Sequence, residues 1–320
     1  MVTNILLIIL GLALLVKGGS WLVDGASALA RRYKISELAI GLTIVAFGTS
    51  APEMVVSLIA SVDLHPEIAF GNVIGSNNFN LFVILGITGL VAPVAVHKNT
   101  IRMEIPLSLL AAIILFLLAN YRFIVGENLM LGRIDGLILL LFFGLFLFYV
   151  YKSMKKDDTD ADKSATITLS LGKSLLFIGL GLTLLVLGGK IVVNSAVDFA
   201  RALHISEKVI GLTIVACGTS LPELVTSITA MVKKNDDIAV GNIIGSNIFN
   251  IFFILGISAL VQPMNYSTVF NRDIYLLVFG TILLLLAMFT GKKRSFDRWE
   301  GAILVLLYVG YIIYLVMRNE

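Results

Sequence analysis

Gly41-Leu-Thr-Ile-Val-Ala-Phe-Gly-Thr-Ser-Ala-Pro-Glu53 is written twice in this chain of 320 residues. The second copy, Gly211-Leu-Thr-Ile-Val-Ala-Cys-Gly-Thr-Ser-Leu-Pro-Glu223, follows 170 residues later and differs only at Phe47/Cys217 and Ala51/Leu221. Proline disrupts a helix interior and a carboxylate is expensive at membrane depth. Two such costs repeated in register point to a site.

The surroundings of both copies are apolar. The chain is 58% hydrophobic and 14% charged, with a mean hydropathy of +0.96. Runs of roughly 20 apolar residues recur, the length a helix needs to cross the hydrocarbon. Helices satisfy their own backbone groups, and the runs lack the alternation of barrel strands. The fold class is therefore an all-α polytopic membrane protein. Ten spans are predicted, at 4–24, 37–61, 67–92, 102–121, 132–151, 169–194, 207–232, 237–262, 272–290 and 299–317. The formal charge of +3 lies in loops that flank the membrane, so no nucleic-acid partner is implied. The single Cys217 excludes an internal disulfide. The run from Ile5 to Val23 lacks a basic leader and has a copy at Leu175 to Val193, so it reads as a retained span rather than a signal peptide.

The halves align almost without gaps. Gly18-Gly19 meets Gly188-Gly189, Ser36-Glu37 meets Ser206-Glu207, Gly71-Asn72 meets Gly241-Asn242, and Pro93 meets Pro263. Residues 1–151 form one five-helix repeat and 169–320 the other, joined by the charged linker 152–168. Five is odd, so the second repeat enters the membrane from the opposite side. Two inverted five-helix repeats are characteristic of secondary transporters, with the site at the repeat interface. Loop Lys and Arg residues number fifteen on one side against six on the other, which places both termini outside the cell membrane and the linker in the cytoplasm.

The chemistry follows from the repeated residues. Pro52 has no N–H to give the carbonyl four residues back, so the helix is expected to kink and the carbonyls near Ala46 to Thr49 to lose partners. Glu53 adds a carboxylate, with Thr49 and Ser50 on its face. Ala216, Thr219, Ser220, Pro222 and Glu223 repeat the set. In the next span, Asn72, Ser76 and Asn80 make one polar stripe, and Asn242, Ser246 and Asn250 repeat it. No His or Cys recurs between halves, so the donors are oxygens. That argues for Ca²⁺ and Na⁺ over zinc, copper or iron, and two carboxylates balance one Ca²⁺ or two Na⁺. Mg²⁺ dehydrates too reluctantly for a flexible cage. Asp24 and Asp198 have no mates and read as span-end residues. Glu37 and Glu207 read as helix N-terminal residues. Ser50 and Ser220 lack a matched His or Lys, which argues against a membrane hydrolase.

On Gly48-Thr-Ser-Ala-Pro-Glu53 and Gly71-Asn-Val-Ile-Gly-Ser-Asn-Asn-Phe-Asn80, with their second-half copies, the chain resembles the sodium/calcium exchanger family of calcium/cation antiporters, in a compact prokaryotic form. The resemblance implies a non-enzymatic antiporter of Na⁺ and Ca²⁺ that works by alternating access. H⁺/Ca²⁺ or K⁺-dependent exchange is the alternative. It implies that Glu53 and Glu223 are central ligands shared by both ions, and that Thr49 and Thr219 add backbone carbonyls. Ser50, Ser220, Ser76, Ser246 and the carbonyls of Ala46 and Ala216 would shape flanking Na⁺ sites, and Asn80 and Asn250 would line the middle. The first span of each half would slide across the core. Several relatives carry aspartate at the position of Asn80 or Asn250, so the amides bear on stoichiometry and potassium coupling. No cofactor and no obligate protein partner are implied beyond the ions and the bilayer.

Overall fold

A computed structural model describes residues 2–125, 129–154, 169–203, 216–290 and 295–317. The described residues are almost entirely helical, with eight helices long and apolar enough to cross a membrane and one further bent pair. In chain order these are α1 (Val2–Tyr33), the pair α2 (Glu37–Thr49) and α3 (Ala51–Val62), α4 (Pro66–Val91), α5 (Thr100–Tyr121) and α6 (Arg133–Met154). The second half has α7 (Leu171–Ala202), the shorter α8 (Leu221–Val232), α9 (Asp236–Val261), α10 (Thr268–Ala287) and α11 (Arg298–Met317). The seventh expected span, 207–232, is represented by α8 and a turn at Ala216–Gly218. Its opening residues, including Ser206 and Glu207, lie outside the described residues, as does most of the 152–168 linker.

Two expectations are corrected. The first spans of each half are not confined to 4–24 and 169–194. Each is a helix of 32 residues, about 48 Å at 1.5 Å per residue, against about 30 Å of hydrocarbon. Charge at Asp24 and Arg31 ends the apolar run but does not break a helix. Asp24 is therefore not a terminal residue, because α1 continues to Tyr33 and ends where Lys34 turns left-handed at φ 54°.

The core is built from α4 and α9, whose apolar windows are 78% and 83% buried, against 28% for α1, α6, α7 and α10. Polar and glycine contacts around them come in mirrored pairs. A Cβ at Gly301 would lie 2.6 Å from the Gly86 carbonyl, and one at Gly136 would lie 2.6 Å from the Gly256 carbonyl. Thus α4 crosses α11 as α9 crosses α6. Short antiparallel ribbons repeat the relation: Val94–Ala95 pairs with Ser295–Phe296, and Met130–Leu131 with Met264–Asn265. Leu64 and Lys234 share φ near 60°. Each is followed by the same helix-closing bond, His65 N–H to Ala60 O and Asn235 N–H to Ala230 O, both 2.8 Å.

Equivalent helices α1 and α7 run antiparallel along a seam of small residues seven apart. Gly11 faces Gly188, Gly18 faces Gly181, and Gly25 faces Ser174. A Cβ at Gly18 would lie 2.8 Å from the Gly181 carbonyl, and one at Gly188 would lie 2.8 Å from that of Gly11. The backbones themselves are in contact, the arrangement small residues permit in lipid.

This helix pair departs from the symmetry of the core. Helix α1 lies along α8, and a Cβ at Gly19 would stand 3.1 Å from the Thr229 hydroxyl and 3.3 Å from Val225. Among the described residues no comparable packing joins α7 to α3. Val55 and Ile59, the mates of Val225 and Thr229, are 50% and 56% exposed. Lys233 fastens the off-centre seat. Its ammonium lies 2.6 Å from Asp24 and donates to Ser20 Oγ at 2.8 Å, whereas the mates of Lys233 and Asp24 are Asp63 and Asn194. Asp198 pairs only distantly with Arg201, at 3.9 Å. Glu37 opens α2 behind the Ser36 cap, as expected. It also reaches Arg31 at 3.3 Å and accepts from Asn235.

The seam gives a direct test. Gly181→Leu should lower the thermal midpoint of the detergent-solubilised protein, since overpacking costs about 1–3 kcal/mol. Gly179→Leu, on an exposed face of the same helix, should leave it in place. Equal midpoints for both variants would contradict a backbone-to-backbone seam.

Candidate functional site

Pro52 acts as expected on the chain path. The helix stops at Thr49, bends by 49°, and restarts at Ala51, with the proline in the first turn of α3, where no N–H is needed. Pro222 opens α8 in the same way. The carbonyl of Ala46 does not lose its partner, however. It accepts from Ser50 N–H at 3.0 Å. The carbonyl that the proline's missing N–H leaves without its helical donor is that of Gly48.

The break places each glutamate in the first turn of a helix, where N–H groups and the helix dipole favour negative charge. Glu53 and Glu223 are both fully buried. Ser50 and Ser220 stand at the cap positions of α3 and α8, yet neither caps its own helix. Each instead donates across the molecule: Ser50 Oγ to Glu223 Oε1 at 2.8 Å and Ser220 Oγ to Glu53 Oε1 at 2.9 Å. Ser76 joins them, its hydroxyl lying 3.4 Å from Glu53 Oε1 and 3.1 Å from the Ser220 hydroxyl.

The residues of the polar stripes hold these pieces in place. Asn72 donates to the Glu53 carbonyl at 3.0 Å and to Ser57 at 2.9 Å, and its oxygen accepts from Thr219 at 3.4 Å. Asn242 mirrors it, donating to the Glu223 carbonyl at 3.3 Å and to Ser227 at 3.0 Å. Its oxygen accepts from Thr49 at 3.0 Å. Sequence reasoning placed Asn72 and Asn242 on the stripe without a role. It passed over Ser57 and Ser227, and over Asn77 and Asn247, which bond to Asn250 and Asn80 at 3.0 Å and 3.1 Å. The available signal was their recurrence in both Gly-Ser-Asn copies.

Asn80 and Asn250 fall in wide π-helical turns, Phe79–Ile84 within α4 and Phe249–Leu255 within α9. Such turns occur often at functional positions. Five buried oxygens at the site have no hydrogen-bond partner among the described residues: Glu53 Oε2, Glu223 Oε2, Asn80 Oδ1, Asn250 Oδ1 and the Ser246 hydroxyl. An unsatisfied buried polar group costs about 1–3 kcal/mol, more if charged. Two carboxylate oxygens together with two amide oxygens and a hydroxyl suit a hard cation that takes oxygen ligands. Ala216 and Thr219 lie at the edge of this group, where the described second-half residues begin.

Comparison with known proteins agrees in extent. The family profile described as sodium/calcium exchanger protein matches residues 3–152 and 173–317. The sodium/calcium exchanger MaX1 of Methanosarcina acetivorans is 34% identical, the alignment covering 98% of each chain. The inner membrane protein YrbG of Escherichia coli K12 is 37% identical over 97% of this chain and 95% of its own. A solved structure of the sodium-calcium exchanger NCX_Mj, soaked with Na⁺ and Ca²⁺, superposes with a TM-score of 0.81 at 34% identity, over 98% of this chain and 99% of that one.

The crossed serines make a prediction. Ser50→Ala and Ser220→Ala each remove a donor to a buried carboxylate and should lower thermal stability by about 1–3 kcal/mol. With Glu223→Gln as background, Ser50→Ala should cost clearly less. The same loss in both backgrounds would mean that the serine does not serve the glutamate.

Proposed function

The chain belongs to the sodium/calcium exchanger family, and on the geometry of its site we propose that it exchanges Na⁺ for Ca²⁺ by alternating access. It is a multi-pass membrane transporter and not an enzyme. The observation that carries the reading is the crossed pair of serine–glutamate bonds, which brings both carboxylates, each with one unsatisfied oxygen, to the junction of the halves. Two negative charges suit one Ca²⁺ or two Na⁺, so the ions compete for the same groups. Without a cation the two buried charges repel, which disfavours an empty ionised carrier and suits obligatory exchange.

In this reading Glu53 and Glu223 hold either ion, and the main-chain carbonyls of Thr49 and Thr219 complete the Ca²⁺ shell. Ser50, Ser220, Ser76 and Ser246, with the carbonyls of Ala46 and Ala216, form flanking Na⁺ positions, and Asn80 and Asn250 line the middle. The repeats are 1–151 and 169–320, with the 152–168 linker cytoplasmic and both termini outside. Alternating access is supported by the mismatch between a symmetric core and an off-centre α1–α7 pair. Exchanging the roles of the halves moves that pair from α8 onto α3, covering Val55 and Ile59 as it uncovers Val225 and Thr229. The shift changes which face of the site is shielded while the ligands stay put.

Purified protein in liposomes tests this. Na⁺-loaded vesicles should take up Ca²⁺ and choline-loaded vesicles should not. Uptake driven equally by a pH jump or by internal K⁺ would replace the sodium coupling with proton or potassium coupling. Glu53→Gln and Glu223→Gln should each abolish exchange. In chelator, each should also raise the thermal midpoint by removing a repelling charge, while losing the further rise that Ca²⁺ gives the wild type.

A further inference from the structure

A primary amide presents either an oxygen or an NH₂ group to its surroundings, and only the oxygen can ligate a cation. Asn80 and Asn250, each no more than 1% exposed, therefore need something that fixes which end faces the ions. The structure supplies a chain of four amides across the junction of the halves, in the order Asn80, Asn247, Asn77, Asn250. Asn80 donates its NH₂ to Asn247 Oδ1 at 3.1 Å, and Asn250 donates to Asn77 Oδ1 at 3.0 Å. The two acceptors are themselves oriented, because Asn77 donates to the Asn247 main-chain carbonyl at 3.1 Å. Asn247 donates to that of Asn77 at 3.4 Å.

The pattern has one consistent orientation. Turning Asn77 over would set its NH₂ against that of Asn250 and its oxygen against a carbonyl. With these donors committed, the oxygens of Asn80 and Asn250 are the two ends left over, buried and without a partner among the described residues. The π-helical turn carrying Asn80 packs against α8, the helix of Glu223, and that carrying Asn250 packs against α3, the helix of Glu53. We propose that Asn77 and Asn247 are positioning residues for ion binding, holding Asn250 and Asn80 so that side-chain oxygens face the cation path.

This assignment rests on the cation-exchange reading and deepens it. Residues that only glue the halves together would affect the stability of the bundle. Residues that orient a ligand affect ion affinity, and act only through that ligand. Asn77→Ala should raise the Ca²⁺ and Na⁺ concentrations giving half-maximal thermal stabilisation by about tenfold. In liposomes it should raise KM while largely sparing the maximal rate. In an Asn250→Ala background, Asn77→Ala should add little further loss, since nothing remains to be positioned.

The experiment is that double-mutant cycle on the full-length protein, with Asn247→Ala and Asn80→Ala as its mirror cycle. Additive losses in both cycles, or unchanged half-saturation with only a lower ion-free midpoint, would overturn the proposal. So would failure of both Asn77→Ala and Asn247→Ala to fold, which would assign these amides to the bundle. A wild type whose midpoint ignores Ca²⁺ and Na⁺ would instead sink the exchange reading itself.

Discussion

Two glutamates that no solvent reaches impose the conditions the rest of this molecule meets. A buried carboxylate needs donors at hand and a compensating charge nearby. Here each receives a hydroxyl from the opposite half, Ser50 for Glu223 and Ser220 for Glu53. That exchange of donors requires two broken helices whose first turns meet, hence a proline after each break. Neither half can satisfy its own glutamate in this way. The site and the association of the repeats are thus one problem with one solution, and the mirrored contacts of Asn72 and Asn242 belong to the same solution.

The duplicated segment made much of this legible in advance. Pro52 and Glu53 could be placed at a kink because their physical effects are local, and the odd number of spans per repeat implied inversion before any geometry. What escaped depended on distance or on fine helical geometry. Asn77 lies off the 72–76–80 stripe, so a regular helix gives no reason to join it to Asn80. Its partners sit 170 and 173 residues away in sequence. The π-helical turns have no compositional mark. The Ala46 carbonyl was expected to be freed because proline was taken to open the whole preceding turn. In fact Ser50 N–H still closes it, and the helix breaks only after Thr49. Helix α1 was cut short at Asp24 because hydropathy measures a preference for lipid, and an α-helix can continue into water.

Symmetry and its violation divide along functional lines. Contacts among the helices that carry the two glutamates and the polar stripes are mirrored at Ser50/Ser220, Asn72/Asn242 and Asn77/Asn247. The α1–α7 pair is held to one side, by packing on α8 and by Lys233 with Asp24, for which the other half has no counterpart. The exposed ion pair adds on the order of 1 kcal/mol or less. The lipid-facing Val55 and Ile59 mark where the equivalent contact is missing.

The glycine seam between α1 and α7 has a consequence for energy conversion. Gly11, Gly18, Gly181 and Gly188 bring backbone against backbone, so neither helix can tilt far from the other without opening the seam. In the proposed alternating-access cycle, the α1–α7 pair would therefore shield the pathway as one body. Drawing one aside carries the other into place, and opening both at once requires prying the seam apart along several turns. A gradient on one ion can drive another uphill only while such leakage is rare. On that proposed cycle, efficiency against slippage would rest on residues that carry no side chain at all.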